Sequence, residues 1–190
     1  MMVAELSRVI VPNSGFCRKV EEMSGEKVSA CFQCTKCTNG CPVTFAMDIA
    51  PHRLMHSIQL GLKGEVLHSD TIWVCASCET CNTRCPNGID VAHIMDTLRQ
   101  ISQGEGIRAS QSNVPIFHSV FLSSVRKHGR VSEMEMALIY YLKSQGLTGL
   151  LKQAGMGFGM LIRGKIKLIP TPIRAISQVR AIFRKAEERG

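Results

Sequence analysis

Eight of the nine cysteines fall into two blocks of identical spacing. CFQCTKCTNGCP (31–42) holds Cys31, Cys34, Cys37 and Cys41, and CASCETCNTRCP (75–86) holds Cys75, Cys78, Cys81 and Cys85. Each reads C-x2-C-x2-C-x3-C-P. Three thiolates two residues apart wrap one face of an iron–sulfur cube when the backbone coils around it. That loop does not easily reach the fourth iron, and in this run the fourth cysteine serves the other cluster. The proline ends the loop, because its ring fixes φ and it has no N–H. The spacing predicts two [4Fe–4S] clusters, one on Cys31, Cys34, Cys37 and Cys85, the other on Cys75, Cys78, Cys81 and Cys41. No catalytic residue is expected.

Two rivals fit the spacing less well. Zinc knuckles draw two ligands from each C-x2-C and close a tetrahedron, so both blocks would leave ligands over. A disulfide framework suits an oxidising compartment. The opening MMVAELSRVIVPNSGF has charges at Glu5 and Arg8 and no long apolar run, so no secretory signal is read. No stretch approaches the roughly 20 apolar residues that cross a bilayer. The best, VPIFHSVFLSSV (114–125), is short and contains His118. A cytoplasmic protein with reduced thiols is expected. Cys17 is left over in SGFCRKVEEM, an amphipathic helical pattern with Phe16, Val20 and Met23, and is read as a buried or idle thiol.

The elements that must position these loops read as helices. Hydrophobic residues make up 45% of the chain and aromatics only 5%, which suits Leu/Ile/Met helix packing. Asp48 is a candidate N-cap with Pro51 in the first turn; Leu54, Ile58 and Leu62 recur at helical spacing, and Gly61 and Gly64 punctuate the end. Ser69 or Asp70 is placed to cap a turn carrying Ile72, Trp73 and Val74 into the second block. Asp90 caps VAHIMDTLRQIS, with Val91, Ile94, Leu98 and Ile101 on one face. The blocks are offset by 44 residues, and Leu54 and Leu98 share that offset. The pattern is an internal repeat of cysteine loop and helix, closed by a break at SQGEG (102–106). His52 and His56, four apart near a helix start, are expected to be solvated.

Charge divides the chain at about the same place. Residues 1–110 carry 10 Lys/Arg and 11 Asp/Glu, a net of −1; residues 111–190 carry 13 and 4, a net of +9. An oxidised [4Fe–4S] centre on four thiolates adds about −2, so the loaded first part turns acidic beside a basic one, a pattern for oriented docking. In the basic part, SEMEMALIYYLKSQG (132–146) reads as a helix capped by Ser132 and stopped by Gly146. GMGFGM (155–160) fails the dinucleotide fingerprint at Met160, and GMLIRGKI (159–166) fails as a P-loop at Ile166, so neither is read as a nucleotide site. IRAISQVRAIFRKAEERG is a basic amphipathic helix with Ile173, Ile176, Val179 and Phe183 on one side. Its modest apolar face suits a partner's groove better than a membrane surface, and no use for that face inside the chain is apparent.

The doubled motif, the helical spacer, the IWVCASC approach and the CPNGIDV exit resemble the helical-ferredoxin class of iron–sulfur subunits. Within it, the length, the short N-terminal lead and the Gly/Met/Leu-rich stretch ending near GKIKLIP are similar to the iron–sulfur C subunit of the CoB–CoM heterodisulfide reductase of methanogenic archaea. The resemblance implies an all-α fold: an α-helical ferredoxin-like two-cluster domain over 1–110 and a basic helical docking extension over 111–190. It implies an electron-transfer subunit of an oxidoreductase, without a reaction site of its own. The donor would be the flavin- and cluster-bearing A subunit, with a hydrogenase or formate dehydrogenase associated. The acceptor would be the catalytic B subunit, which cleaves the CoM–S–S–CoB disulfide. The 30 residues ahead of Cys31 leave no space for the extra [2Fe–2S] domain of succinate dehydrogenase iron–sulfur subunits, and the chain lacks the adjacent cysteines of the catalytic subunit. Two alternatives stay open: a wiring subunit of another multi-subunit oxidoreductase, and a basic metal-binding protein that docks on nucleic acid. The second lacks an aromatic stacking pattern, so no nucleic-acid partner and no membrane span are expected.

Overall fold

The computed structural model describes residues 14–162 and 173–188. Among the described residues the secondary structure is helical throughout, as the all-α expectation requires. The chain divides into two compact units between Gln111 and Ser112.

The first unit is a frame of short helices around the cysteine loops. Helix α1 (Ser14–Ser24) buries Phe16 and Val20, while Met23, expected on the same face, is exposed. A 3-10 turn (Val28–Ala30) leads into the first loop, which ends in α2 (Lys36–Asn39). Another 3-10 turn (Thr44–Ala46) precedes α3 (Pro51–Gln59), whose Leu54, Met55 and Ile58 are fully buried. The chain turns at Gly61, with φ of 69, and enters α4 (Lys63–His68), so Gly64 lies inside a helix and does not end one. Helix α5 (Thr71–Val74) delivers the second loop, which ends in α6 (Thr80–Arg84). Helix α7 (Val91–Gly104) buries Ile94, Met95, Leu98 and Ile101 against α1, α4 and α5. It runs further into SQGEG than expected: Ser102 is buried on its face, and the chain turns at Gly106.

Asp90 caps α7 as expected, accepting from the His93 N–H at 2.9 Å. Asp48 does something else. The residue that caps α3 is Ala50, with Pro51 at the first helical position. The Asp48 carboxylate accepts from the N–H groups of Asp70 and Thr71, both at 2.9 Å, and so caps α5 across 22 residues of chain. Neither Ser69 nor Asp70 caps α5 with its side chain. Glu105, just past α7, accepts from Lys19 and Lys63, each at 2.8 Å, and ties the end of α7 to the middle of α1 and the start of α4.

In the second unit, α8 (Asn113–His128) packs against both α9 (Glu133–Ile162) and α10 (Ile176–Glu187). Gly146 breaks α9, with φ of 67 and ψ of −164, and the helix then resumes, so GMGFGM lies in helix. GMLIRGKI runs past the described residues, and GKIKLIP lies outside them. Phe117 of α8 meets Tyr140 of α9 edge-on at 5.9 Å. Gly129, with φ of 77, ends α8 and gives Ile173 space that a Cβ would take, since a Cβ there would collide with Ile173 Cγ1. Arg126 pairs with Glu187, and Ile173, Ile176, Val179 and Phe183 are half-buried. The apolar side of the last helix therefore has an internal use, against α8, contrary to the expectation.

Candidate functional site

The first unit holds two neighbouring cavities. Cys31, Cys34, Cys37 and Cys85 line one. Cys41, Cys75, Cys78 and Cys81 line the other. Val91, buried at the start of α7, lines both, so a single side chain forms a shared wall. The remaining walls are largely apolar: Met55 and Ile89 in the first, Val43, Pro51 and Met95 in the second. Pro51 and Met95 are repeat mates, 44 apart, yet both face the second cavity. Cys17 lines neither of them; it is half-buried on α1, and burial, with Glu21 adding to it, pushes its thiol up. Among the described residues no three His, Cys, Asp or Glu side chains close on a single ion-sized centre.

Local backbone conformation makes the loops curl. Gln33, Thr35, Ser77 and Glu79 all have positive φ, of 55, 63, 49 and 62. They are two pairs of repeat mates at the 44-residue offset and lie between the first three cysteines of each block. A non-glycine side chain in the left-handed region costs on the order of 1 kcal/mol. Four such residues among those described, all in these loops, mark where fold stability is given up for a site.

Four hydrogen bonds explain why the fourth cysteines lie where they do. Beyond Cys85, Asn87 donates from its side chain to the Ala30 carbonyl. The Asp90 N–H donates to Glu26 at 3.0 Å. Both draw the CPNGID turn onto the approach to the first loop. Beyond Cys41, Asp48 is fixed to Asp70 and Thr71, so this segment is drawn to the second loop. Helices α2 and α6 pack together, with the Arg84 side chain over Gly40, again a pair 44 apart; a Cβ on Gly40 would stand 2.6 Å from Arg84 Cδ.

The thiols differ in their surroundings. Burial pushes Cys37 and Cys75 up and takes Cys81 to about 11. At Cys75 the Ser77 N–H and the Arg99 guanidinium oppose that rise. Exposed Cys78 is held below the usual thiol value by Thr80, whose Oγ1 is 3.4 Å from its Sγ. Binding a metal centre must therefore displace protons from several of these thiols.

Two residues at the site, Gln59 and Arg99, were not singled out in the sequence, and His52 departs from its expectation. His52 lines the first cavity and lies 2.8 Å from Thr38 Oγ1 through Nδ1, whereas His56 is exposed, so solvation was right for only one of the pair. Gln59 and Arg99 each hold the backbone of one loop. Lone polar residues on helical faces carry no spacing signal; only the carbonyls that they share across the repeat distinguish them.

The family model of the 4Fe-4S dicluster domain matches residues 30–90. The chain is 34% identical over 105 residues to the iron-sulfur C subunit of the CoB–CoM heterodisulfide reductase of Methanopyrus kandleri, a match covering 55% of this chain and 52% of that protein. It is 26% identical over 132 residues to the C subunit of the H(2):CoB-CoM heterodisulfide,ferredoxin reductase of Methanothermobacter marburgensis, covering 70% and 68%. Against the C subunit of the ferredoxin:CoB-CoM heterodisulfide reductase of Methanosarcina mazei it is 29% identical over 118 residues, covering 59% and 73%. The chain spans about half the length of the curated relatives that it matches at 34% identity. No described helix is long and apolar enough to cross a membrane. Residues 30–90 are thus a 4Fe-4S dicluster domain, set in a chain that resembles the iron–sulfur C subunit of CoB–CoM heterodisulfide reductase.

Proposed function

We propose that this chain is the electron-relay subunit of a heterodisulfide reductase, with two [4Fe–4S] clusters between a flavin-bearing donor subunit and the catalytic subunit that reduces the CoM–S–S–CoB disulfide. Each cluster, when bound, takes up and gives back one electron. Cys31, Cys34, Cys37 and Cys85 would hold one cluster, and Cys75, Cys78, Cys81 and Cys41 the other. The observation that carries this reading is the sorting of eight cysteines into two pocket linings of four, each containing one cysteine from the other block. The chain's own residues curl the loops through four left-handed positions, line the sites with the apolar side chains of Met55, Ile89 and Met95, and place Val91 between the two. Clustered free thiols suit a reducing compartment, in our reading the cytoplasm.

Residues 111–190 would be the docking extension. Two features support that: the net charge of +9, and the apolar side chains Leu122, Leu138, Leu142 and Ile182 left exposed in this unit. Anaerobic purification of the chain with its neighbours tests the whole reading. The expected result is about eight irons and eight sulfides per chain, with flavin and catalytic subunits co-purifying. Zinc in place of iron, or co-purification with an unrelated oxidoreductase, would overturn it.

A further inference from the structure

The two cysteine loops are held at equivalent backbone points by different side chains. In the first, Gln59 Nε2 donates to the carbonyls of Val28 at 3.0 Å and Cys31 at 3.4 Å. In the second, the Arg99 guanidinium donates to the carbonyls of Ile72 and Cys75. Val28 and Ile72 are 44 residues apart, as are Cys31 and Cys75, but Gln59 and Arg99 are not repeat mates. The two helices have reached the same contacts separately, one with a neutral amide and one with a full positive charge. Arg99 also reaches Asp96 at 2.7 Å and Ser77 Oγ at 3.5 Å, and its side chain is only 12% exposed.

Resting on the two-cluster reading above, we propose that Arg99 is a positioning residue whose fixed charge, held behind Cys75, raises the reduction potential of the cluster in the second cavity and leaves that of the first unchanged. Taking up an electron adds a negative charge to a cluster, so a nearby cation stabilises the reduced form. Burial decides how much of that charge is felt. Lys36 lines the first cavity but is exposed, where water and salt screen it; Arg99 is largely shielded. Asp96 offsets part of the field, yet its side chain is 45% exposed. The first cavity has neutral donors on its sulfurs: Gln33 Nε2 to Cys31 at 3.4 Å and the Ile89 N–H to Cys85 at 3.3 Å. These set that cluster's own level and stay in place when Arg99 is replaced.

Potentiometric titration of the anaerobically loaded full chain, followed by electron paramagnetic resonance, tests this. Cys34→Ser and Cys78→Ser assign the two signals. Arg99→Gln, which copies Gln59, should cut the reduced-to-oxidised ratio of the second-cavity signal about tenfold at fixed ambient potential, a shift of about 59 mV for one electron. The first signal should not move, and Arg99→Lys should keep most of the native value. Equal shifts in Arg99→Gln and Arg99→Lys, or loss of the second cluster in both, would make the residue a structural clamp and overturn the proposal. Loss in Arg99→Gln with retention in Arg99→Lys would support the role of the charge. A wild-type chain that loads fewer than two clusters would overturn the proposed function, and this inference with it; two clusters whose potentials ignore Arg99 would overturn this inference alone.

Discussion

Cys41 and Cys75 line the same cavity, although 34 residues separate them, while Cys37, only four residues before Cys41, lines the other. A ligand set read from proximity in sequence would join Cys41 to its own block. The Asp48 contacts to Asp70 and Thr71 carry it the other way. Cys41→Ser should therefore damage the spectrum of the cluster beside Cys75, Cys78 and Cys81, and Cys85→Ser that of the cluster beside Cys31, Cys34 and Cys37. Cys17→Ser should leave both intact. Iron analysis and paramagnetic resonance of the three variants decide the matter; each block variant losing its own block's cluster would refute the crossed assignment.

How far the sequence discloses such a site depends on the range of the interaction. The cysteine spacing, the Asp90 cap and the apolar face of α7 are local, and all are legible in a window of about a dozen residues. Asp48 has the composition of a local cap and is spent on a distant helix, because Pro51 and Ala50 already start α3 without it. The apolar side of α10 is equally visible, but its partner, α8, is some 50 positions upstream and marked only by Gly129. The left-handed residues carry no compositional sign at all: Gln33, Thr35, Ser77 and Glu79 replace the glycine or asparagine that would have announced them.

That strain is measurable. Glu79 has φ of 62, and an isoleucine there would have to hold a β-branched side chain in the left-handed region. Glu79→Ile should cost about 1–2 kcal/mol, seen as a lower anaerobic melting temperature and weaker retention of the cluster in the second cavity. Glu79→Gly should stay within about 0.5 kcal/mol of the parent, since relief of strain offsets a more flexible unfolded chain. A Glu79→Ile protein as stable as the parent would remove the argument that the loop is held under strain.

Asp48 makes stability depend on acid. Its modest burial would raise its pKa, but the N–H groups of Asp70, Thr71 and Ile49 and the Thr71 hydroxyl outweigh that and hold it below the usual 3.8. A carboxylate with a depressed folded-state pKa contributes stability above its unfolded value, and that contribution is lost as pH falls through the folded one. Asp48→Ala should cost about 1–2 kcal/mol near neutrality and flatten the loss of stability below about pH 4. Anaerobic denaturation across that range checks it; a variant whose acid limb matches the parent's would show that these bonds contribute nothing to the linkage.

The docking role of the second unit needs a gentler probe than truncation. Removing residues from 171 onward would uncover the α8 surface that Ile173, Val179 and Phe183 now cover, and would break the Arg126–Glu187 pair. A loss of assembly would then have two causes. Leu122 and Ile182 are 51% and 67% exposed, so charging either should leave the unit folded. Leu122→Asp and Ile182→Asp should keep iron content and helicity unchanged. Binding to the flavin-bearing or catalytic partner should weaken about tenfold or more for whichever residue the partner covers, since burying such a side chain is worth about 1.5–3 kcal/mol. The residual binding should be more sensitive to salt, because the basic charge remains while the apolar contact is gone. Artificial dyes should still exchange electrons with the clusters at the parent rate. If both variants assemble normally and support full heterodisulfide reduction, these exposed side chains are not the docking surface; if either loses iron, the second unit contributes to holding the clusters and its role as a separate docking element fails.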